Sequence, residues 1–334
     1  MLGIIVKKIW KNFIVYILTF EILFQLLFFF NFDFIKQPIL FYNGYCDQKY
    51  WNLYDKKTNI GDDISYHPIL TYKKNETNVP ENFLKNIKIN KKKFDKNKIS
   101  LYGSSYINHD NLKSILENNK DIEFTNYALD SYGLDQIYLS YKLTAHLNQN
   151  RTILFGFLLE DLDRSLFHLR DYQKAKFIFR DNNFYLNNVP VNLNLKTDKV
   201  YDFYLYRFLK NFYDLLINDF DPRYSECHIS HKKKLFDYFL KNIVEDAEKL
   251  NQKIIFITFN SKEDLIKDTN WRYKYMRNYF AKNNIEHIDS LKIMKKNLSE
   301  KDEKLEDYFG YDNHNSMKSF QYIYNEFIKL YKAM

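Results

Sequence analysis

A chain of 334 residues, 46% hydrophobic and 19% aromatic, has the length and apolar content to bury a full core, which excludes a disordered chain. The 50 Lys and Arg against 42 Asp and Glu leave a formal +8. The lysines are scattered, and the one dense run, NKKKFDKNK, is short and carries an Asp, so no nucleic-acid partner is expected. The skew toward Lys, Asn, Ile, Phe and Tyr reads as a nucleotide-composition bias, and it leaves only seven glycines in the chain.

The first element is an apolar run from about Phe13 to Phe34, long enough for the ~20 residues a bilayer needs. Glu21 and Gln25 interrupt it, but four residues apart they share one helix face, where a partner helix or the interface would satisfy them. Lys7, Lys8 and Lys11 precede the run, so the positive-inside rule keeps the N-terminus cytoplasmic and sends the chain from about residue 36 across the membrane. No small-x-small cleavage site follows, which favours an uncleaved signal anchor over residues 1–35 against a cleaved signal peptide. The expected location is a single-pass membrane protein with an extracytoplasmic C-terminal domain. Of the two cysteines, Cys46 and Cys227, the sequence allows either a disulfide or two free thiols in such a compartment. His228 and His231 follow Cys227 as CHISH, without the second CxxC or HxxxH of a zinc site, so no metal and no cofactor is expected.

Residues 36–97 read as a polar, aromatic lead-in that packs irregularly on the domain, with His67 in YHPIL as a structural histidine. From Lys98 the pattern changes to short apolar runs alternating with helical periods, the signature of α/β with a mostly parallel sheet. The expected strands are ISLYG, IEFTNYA, TILFGFL, KIIFITF and IEHIDS. Helices are expected near 111–119, 133–148, 201–218, 231–250, 264–283 and 316–331. An insertion at about 165–200 reads as a hairpin around DNN. In open sheets of this kind the site lies beyond the carboxyl ends of the strands.

The first strand runs into LYGSSYINHDNL. A serine in a Gly-containing strand-to-helix turn gains an exposed hydroxyl and nearby amides, but alone the motif is equally an N-cap turn. The second strand ends in NYALDSYGLDQ, the third in LLEDLDR, and near the C-terminus stands DNHNS. Four such blocks in this order resemble the SGNH, or GDSL-type, hydrolases. Gly103-Ser104-Ser105 stands for Gly-Asp-Ser. Asn126-Tyr127-Ala128, with Tyr132-Gly133 and Gln136, stands for the second block, and Asp312-Asn313-His314 for the last. Four of the seven glycines, Gly103, Gly133, Gly156 and Gly310, fall in or beside these blocks.

The resemblance, over roughly residues 98–330, implies a flavodoxin-like three-layer α/β/α domain at 98–334. It implies Ser105 as nucleophile, His314 as base and Asp312 as the group that orients His314. It puts the amides of Ser105 and Ala128 at the oxyanion, with Gly103 in the turn beneath. The sequence departs from the pattern at Ser104, where the family has Asp, and at Glu160, where it has an Asn that donates to the oxyanion; a charged carboxylate there would oppose catalysis. The alternative reading of EDLDR is a helix-start acid cluster paired with Arg164. Resemblance and location together imply a serine-dependent ester hydrolase or acyltransferase, with an acylated envelope glycan or lipid-linked sugar as substrate and membrane lipid around the anchor. Two rivals stand beside it. One is an inactive glycan-binding descendant; the other is a structural subunit whose Glu21 and Gln25 meet a membrane partner.

Overall fold

The structure is a computed structural model that describes residues 2–30, 32, 38–41, 48, 51, 61–84, 87–90, 92–194, 203–218, 226–266, 270–301, 303–311 and 313–333. The chain divides into two compact units. One comprises Met1–Thr58, His168–Gln173 and Leu193–Ile229; the other comprises Asn59–Phe167, Lys174–Asn192 and Ser230–Met334.

The larger unit is built on five strands: β1 (Asp95–Gly103), β2 (Glu123–Asn126), β3 (Arg151–Leu158), β4 (Lys253–Phe259) and β5 (His287–Asp289). Their order is β5-β4-β3-β1-β2, and every neighbouring pair is parallel. This is the doubly wound arrangement in which the chain leaves β1 in one direction and β3 in the other, opening a crevice at their carboxyl ends. Each of the five expected strands falls on one observed strand.

The strands hold because both faces are covered, and their alternation sorts two kinds of side chain. Leu101, Leu154, Ile255 and Ile257 face a largely aliphatic layer with Leu112, Leu116, Phe320, Ile323 and Phe327, supplied by helices Asp110–Glu117 and Met317–Ala333. On the opposite face Tyr102, Phe155 and Phe256 meet an aromatic layer with Tyr141 and Phe280. That layer comes from Leu134–Thr144 and Trp271–Lys282. Buried phenols need partners: Tyr102 OH lies 2.6 Å from Thr144 Oγ1, and Tyr141 OH donates to Gln252 Oε1 at 2.8 Å.

The insertion carries the expected hairpin, Lys176–Arg180 against Asn183–Asn187. Its two-residue turn, Asp181 and Asn182, has φ of 49° and 61°, the left-handed pair that matches strand twist. Three elements differ from expectation. The lead-in forms an antiparallel hairpin, Ile64–His67 with Thr71–Lys74. The stretch 264–283 is two helices, Lys262–Ile266 and Trp271–Lys282, the second capped by the Asn270 side chain on Arg272 N–H. A further helix, Ser290–Glu300, starts directly from β5 with Asp289 as its cap.

In the smaller unit, helix Leu2–Phe29 contains a 23-residue stretch, Lys7–Phe29, with a mean hydropathy of 1.9, long and apolar enough to cross a membrane. Glu21 on this helix is buried, and it accepts from Gln25 Nε2 at 2.6 Å and from the backbone N–H groups of Tyr204 and Leu205 at 3.2 and 2.9 Å. Cys227 is disulfide-bonded; Cys46 lies outside the described residues.

Candidate active site

Ser105 is delivered by a close fit between two glycines and one isoleucine. Gly103 and Gly156 are register partners at the ends of β1 and β3. A Cβ on either would come within 2.5 Å of Ile107 Cγ1, so only bare backbone lets Ile107 seat on the strand tips. Ile107 belongs to the single-turn helix Ser105–Asn108 that follows β1 through Ser104, whose extended φ and ψ of −94° and −158° make the corner. Seating Ile107, which is fully buried, therefore fixes the start of that turn and the serine on it.

His314 arrives from the other end of the chain. Tyr308 to Ser316 form a tight loop in which Gly310 N–H donates to His314 O at 2.7 Å and Asn313 N–H to Gly310 O at 3.1 Å. Asn313 takes the left-handed φ of 61°, a conformation Asn adopts at little cost. The loop is anchored by Ser319 Oγ donating to Tyr308 O at 2.9 Å, from the first turn of the last helix. Across 209 residues of sequence, His314 Nε2 lies 2.9 Å from Ser105 Oγ. That is hydrogen-bond contact between a hydroxyl and a base. Asp312 lies outside the described residues.

Two side chains not expected at the site hold the imidazole. The rings of Tyr106 and His109 lie 4.8 and 5.4 Å from that of His314, and Tyr106 OH donates to Asn313 O at 3.4 Å. They follow Ser105 by one and four positions, so the segment that presents Ser105 also walls His314. That spacing on a one-turn helix was the available signal, hidden because the local sequence reads equally as an N-cap. His67 is buried and structural: Nδ1 accepts from Ile69 and Leu70 N–H, and Nε2 is 3.1 Å from Pro80 O.

On the β2 side, the Ala128 N–H donates to Asn126 Oδ1 at 2.9 Å. Asn126 Nδ2 reaches Asn108 Oδ1 at 3.3 Å, the same oxygen that accepts from Lys74 Nζ at 2.6 Å. The lead-in hairpin thus sends a cation to the rim of the site. Burial first, then the neighbouring Lys113 charge, pulls the Lys74 ammonium down to about 8. Gly133 opens the next helix, where a Cβ would come 2.6 Å from Asp135 Oδ1 and 2.8 Å from Arg164 Cβ.

Glu160 follows β3. Its Oε2 is shielded from solvent and has no hydrogen-bond partner among the described residues. Burial, then the charge of Asp264, pushes its carboxyl up to about 8 against the opposing pull of Arg272. Nearby cations serve other acids. Arg164 pairs with Asp161 at 2.7 Å, and Lys232 with Asp163 at 2.8 Å, where Arg272 also binds. Arg164 is therefore committed to Asp161 within the EDLDR cluster. Burial first, then the charge of Glu160, raises the Tyr106 hydroxyl.

No family model and no curated protein matches the sequence. Among solved structures, the chain is similar to a lipolytic protein of the G-D-S-L family from Veillonella parvula, at 11% identity and TM-score 0.41, covering 71% of this chain and 99% of that one. It is similar to an acetylxylan esterase from Geobacillus stearothermophilus, at 8% identity and TM-score 0.41, covering 70% and 94%. A lipase/acylhydrolase from Enterococcus faecalis is also similar, at 11% identity and TM-score 0.37, covering 71% and 95%.

Proposed function

We propose that the protein is a membrane-anchored serine ester hydrolase or acyltransferase of the SGNH type, with residues 98–334 as its catalytic domain. The observation that supports this most is the 2.9 Å approach of Ser105 Oγ to His314 Nε2 at the crevice end of the sheet. Ser105 Oγ bonds to the acyl carbon as its proton passes to His314 Nε2, and Asp312 stabilises the imidazolium. The tetrahedral oxyanion takes the amides of Ser105 and Ala128, the latter leaving Asn126 Oδ1 to do so. Collapse breaks the ester bond, and the leaving alkoxide takes the proton from His314. Water or a second hydroxyl, deprotonated by the same base, then attacks the acyl-serine and frees the enzyme.

Glu160 donates to the oxyanion in its protonated form, the state its surroundings favour at neutral pH. The apolar N-terminal helix and the lysines before it support an extracytoplasmic domain, and with it acylated envelope glycans or lipid-linked sugars as the substrate class. The test is release of carboxylic acid from an aryl acetate and from an O-acetylated glycan by the detergent-solubilised full chain. Wild type turns over both, and Ser105→Ala neither; turnover by Ser105→Ala equal to wild type overturns the assignment.

A second reading, a glycan-binding protein without turnover, is favoured by Glu160 in place of the donor Asn and by the occupied Ala128 amide. It predicts glycan binding unchanged in Ser105→Ala and no acid release by wild type. For the third reading, a subunit recruited through Glu21 and Gln25, the Glu21 carboxylate is engaged within this chain by Tyr204 and Leu205.

A further inference from the structure

Helix Tyr204–Leu216 leaves a broad apolar face uncovered. Its inward positions carry Tyr204 and Asn211, both buried, and Leu205, Arg207, Phe208, Asp214 and Leu215, all half-buried. Its outward positions carry Tyr206, Leu209, Phe212, Tyr213, Leu216 and the following Ile217, each between 47% and 67% exposed. A helix packed on a protein in water carries polar residues on its outward face. The one outward charge, Lys210, is paired with Asp214 at 2.9 Å and has a stem long enough to carry its ammonium toward the interface.

Where this helix starts narrows what covers that face. Glu21 accepts the N–H groups of Tyr204 and Leu205, which are among the donors a helix N-terminus leaves unpaired. Glu21 lies eight residues before Phe29, the end of the apolar stretch, which at the helical rise is about 12 Å inside it. An aromatic seam continues the contact: Phe24 to Phe208 at 5.5 Å, Phe28 stacked on Tyr204 at 3.9 Å, and Phe41 closing over both. Only 6% of the apolar stretch of the N-terminal helix is buried, so its bare surface runs on into the outward face of Tyr204–Leu216. In hydrocarbon, amides at that depth must be satisfied within the protein, and Glu21 does this.

We propose that the Tyr204–Leu216 helix is a second membrane-embedded element, docked on the anchor through Glu21, with its Tyr206–Ile217 face against lipid acyl chains. The inference rests on the reading of the N-terminal helix as a membrane span. The smaller unit then meets lipid through two helices rather than one, and the aromatic outward residues suit the boundary between acyl chains and headgroups.

The test reconstitutes the full chain in phosphatidylcholine vesicles containing a phosphatidylcholine with a diazirine on its acyl chain, and maps photoadducts by mass spectrometry. Adducts are expected both within 7–29 and within 206–217. In Leu209→Glu/Leu216→Glu those in 206–217 should fall at least ~10-fold, with the anchor still labelled. Adducts in 7–29 with none in 206–217 overturn the inference and leave the anchor standing. Adducts in neither overturn the anchor and the inference together. Crosslinks from 206–217 to a second copy of the chain, in place of lipid, also overturn it.

Discussion

Protonation of Glu160 is tied to stability and, in the proposed reaction, to catalysis. Its carboxyl is raised in the folded protein from an ordinary 4.5 to about 8, so folding retains a proton that the unfolded chain releases. That stabilisation is complete below about 4.5 and is lost as pH climbs through about 8. Relative to wild type, Glu160→Gln should therefore gain melting temperature steadily between pH 5 and pH 8 and not below. Its activity should lose the alkaline decline. Loss of activity as complete as in Ser105→Ala, with folding intact, would instead give the charged carboxylate a direct role. At the base, His314→Ala should lower kcat/KM by on the order of 10⁴ and Asp312→Ala by less, because the Asp only orients and stabilises the imidazole. A silent Asp312→Ala would reduce the triad to a Ser-His dyad.

The turn carrying Ser105 depends on how the strand tips meet one helix, and this can be tested by substitution. Gly156→Ala puts a methyl into Ile107 and, at 3.0 Å, Phe259, an overpacking that costs about 1–3 kcal/mol. Pairing it with Ile107→Ala should recover part of that loss in a thermal melt, a coupling of neighbours rather than a sum. Gly103→Ala also meets the Gly156 carbonyl oxygen, which no side-chain truncation removes, so Ile107→Ala should not rescue it. Equal rescue of both would show that Ile107 alone sets the fit. Three strands, ending in ISLYG, TILFGFL and KIIFITF, were legible because buried parallel strands are short continuous apolar runs; the edge strands EFTN and HID are short and partly polar, and were legible from their place between helical stretches. The Ser290–Glu300 helix was not, since its cap, Asp289, is also the last residue of β5 and no linker separates them. The lead-in hairpin escaped because ISYH and TYKK are four residues each, and its turn places φ of 77° on Thr71 rather than on Gly. Block order could bring Ser105 and His314 together, but not Tyr106 and His109, whose places depend on the path of the 308–316 loop.

At the scale of the whole molecule, Lys7, Lys8 and Lys11 should hold the N-terminus on the cytoplasmic side. Protease added outside sealed cells should then digest the larger unit and spare a fragment that contains these lysines. Protection of the domain would reverse the orientation and remove the envelope glycans from reach. The fold draws its candidate nucleophile from the first strand and its candidate base from the last loop, so a reactive serine requires the larger unit folded from end to end. The most direct measurement is therefore intact and peptide mass analysis of the full chain after reaction with a fluorophosphonate. The account predicts one adduct per chain, located on Ser105, absent in Ser105→Ala and slowed at least ~10³-fold in His314→Ala. An adduct on another serine, or labelling that survives Ser105→Ala, would contradict it.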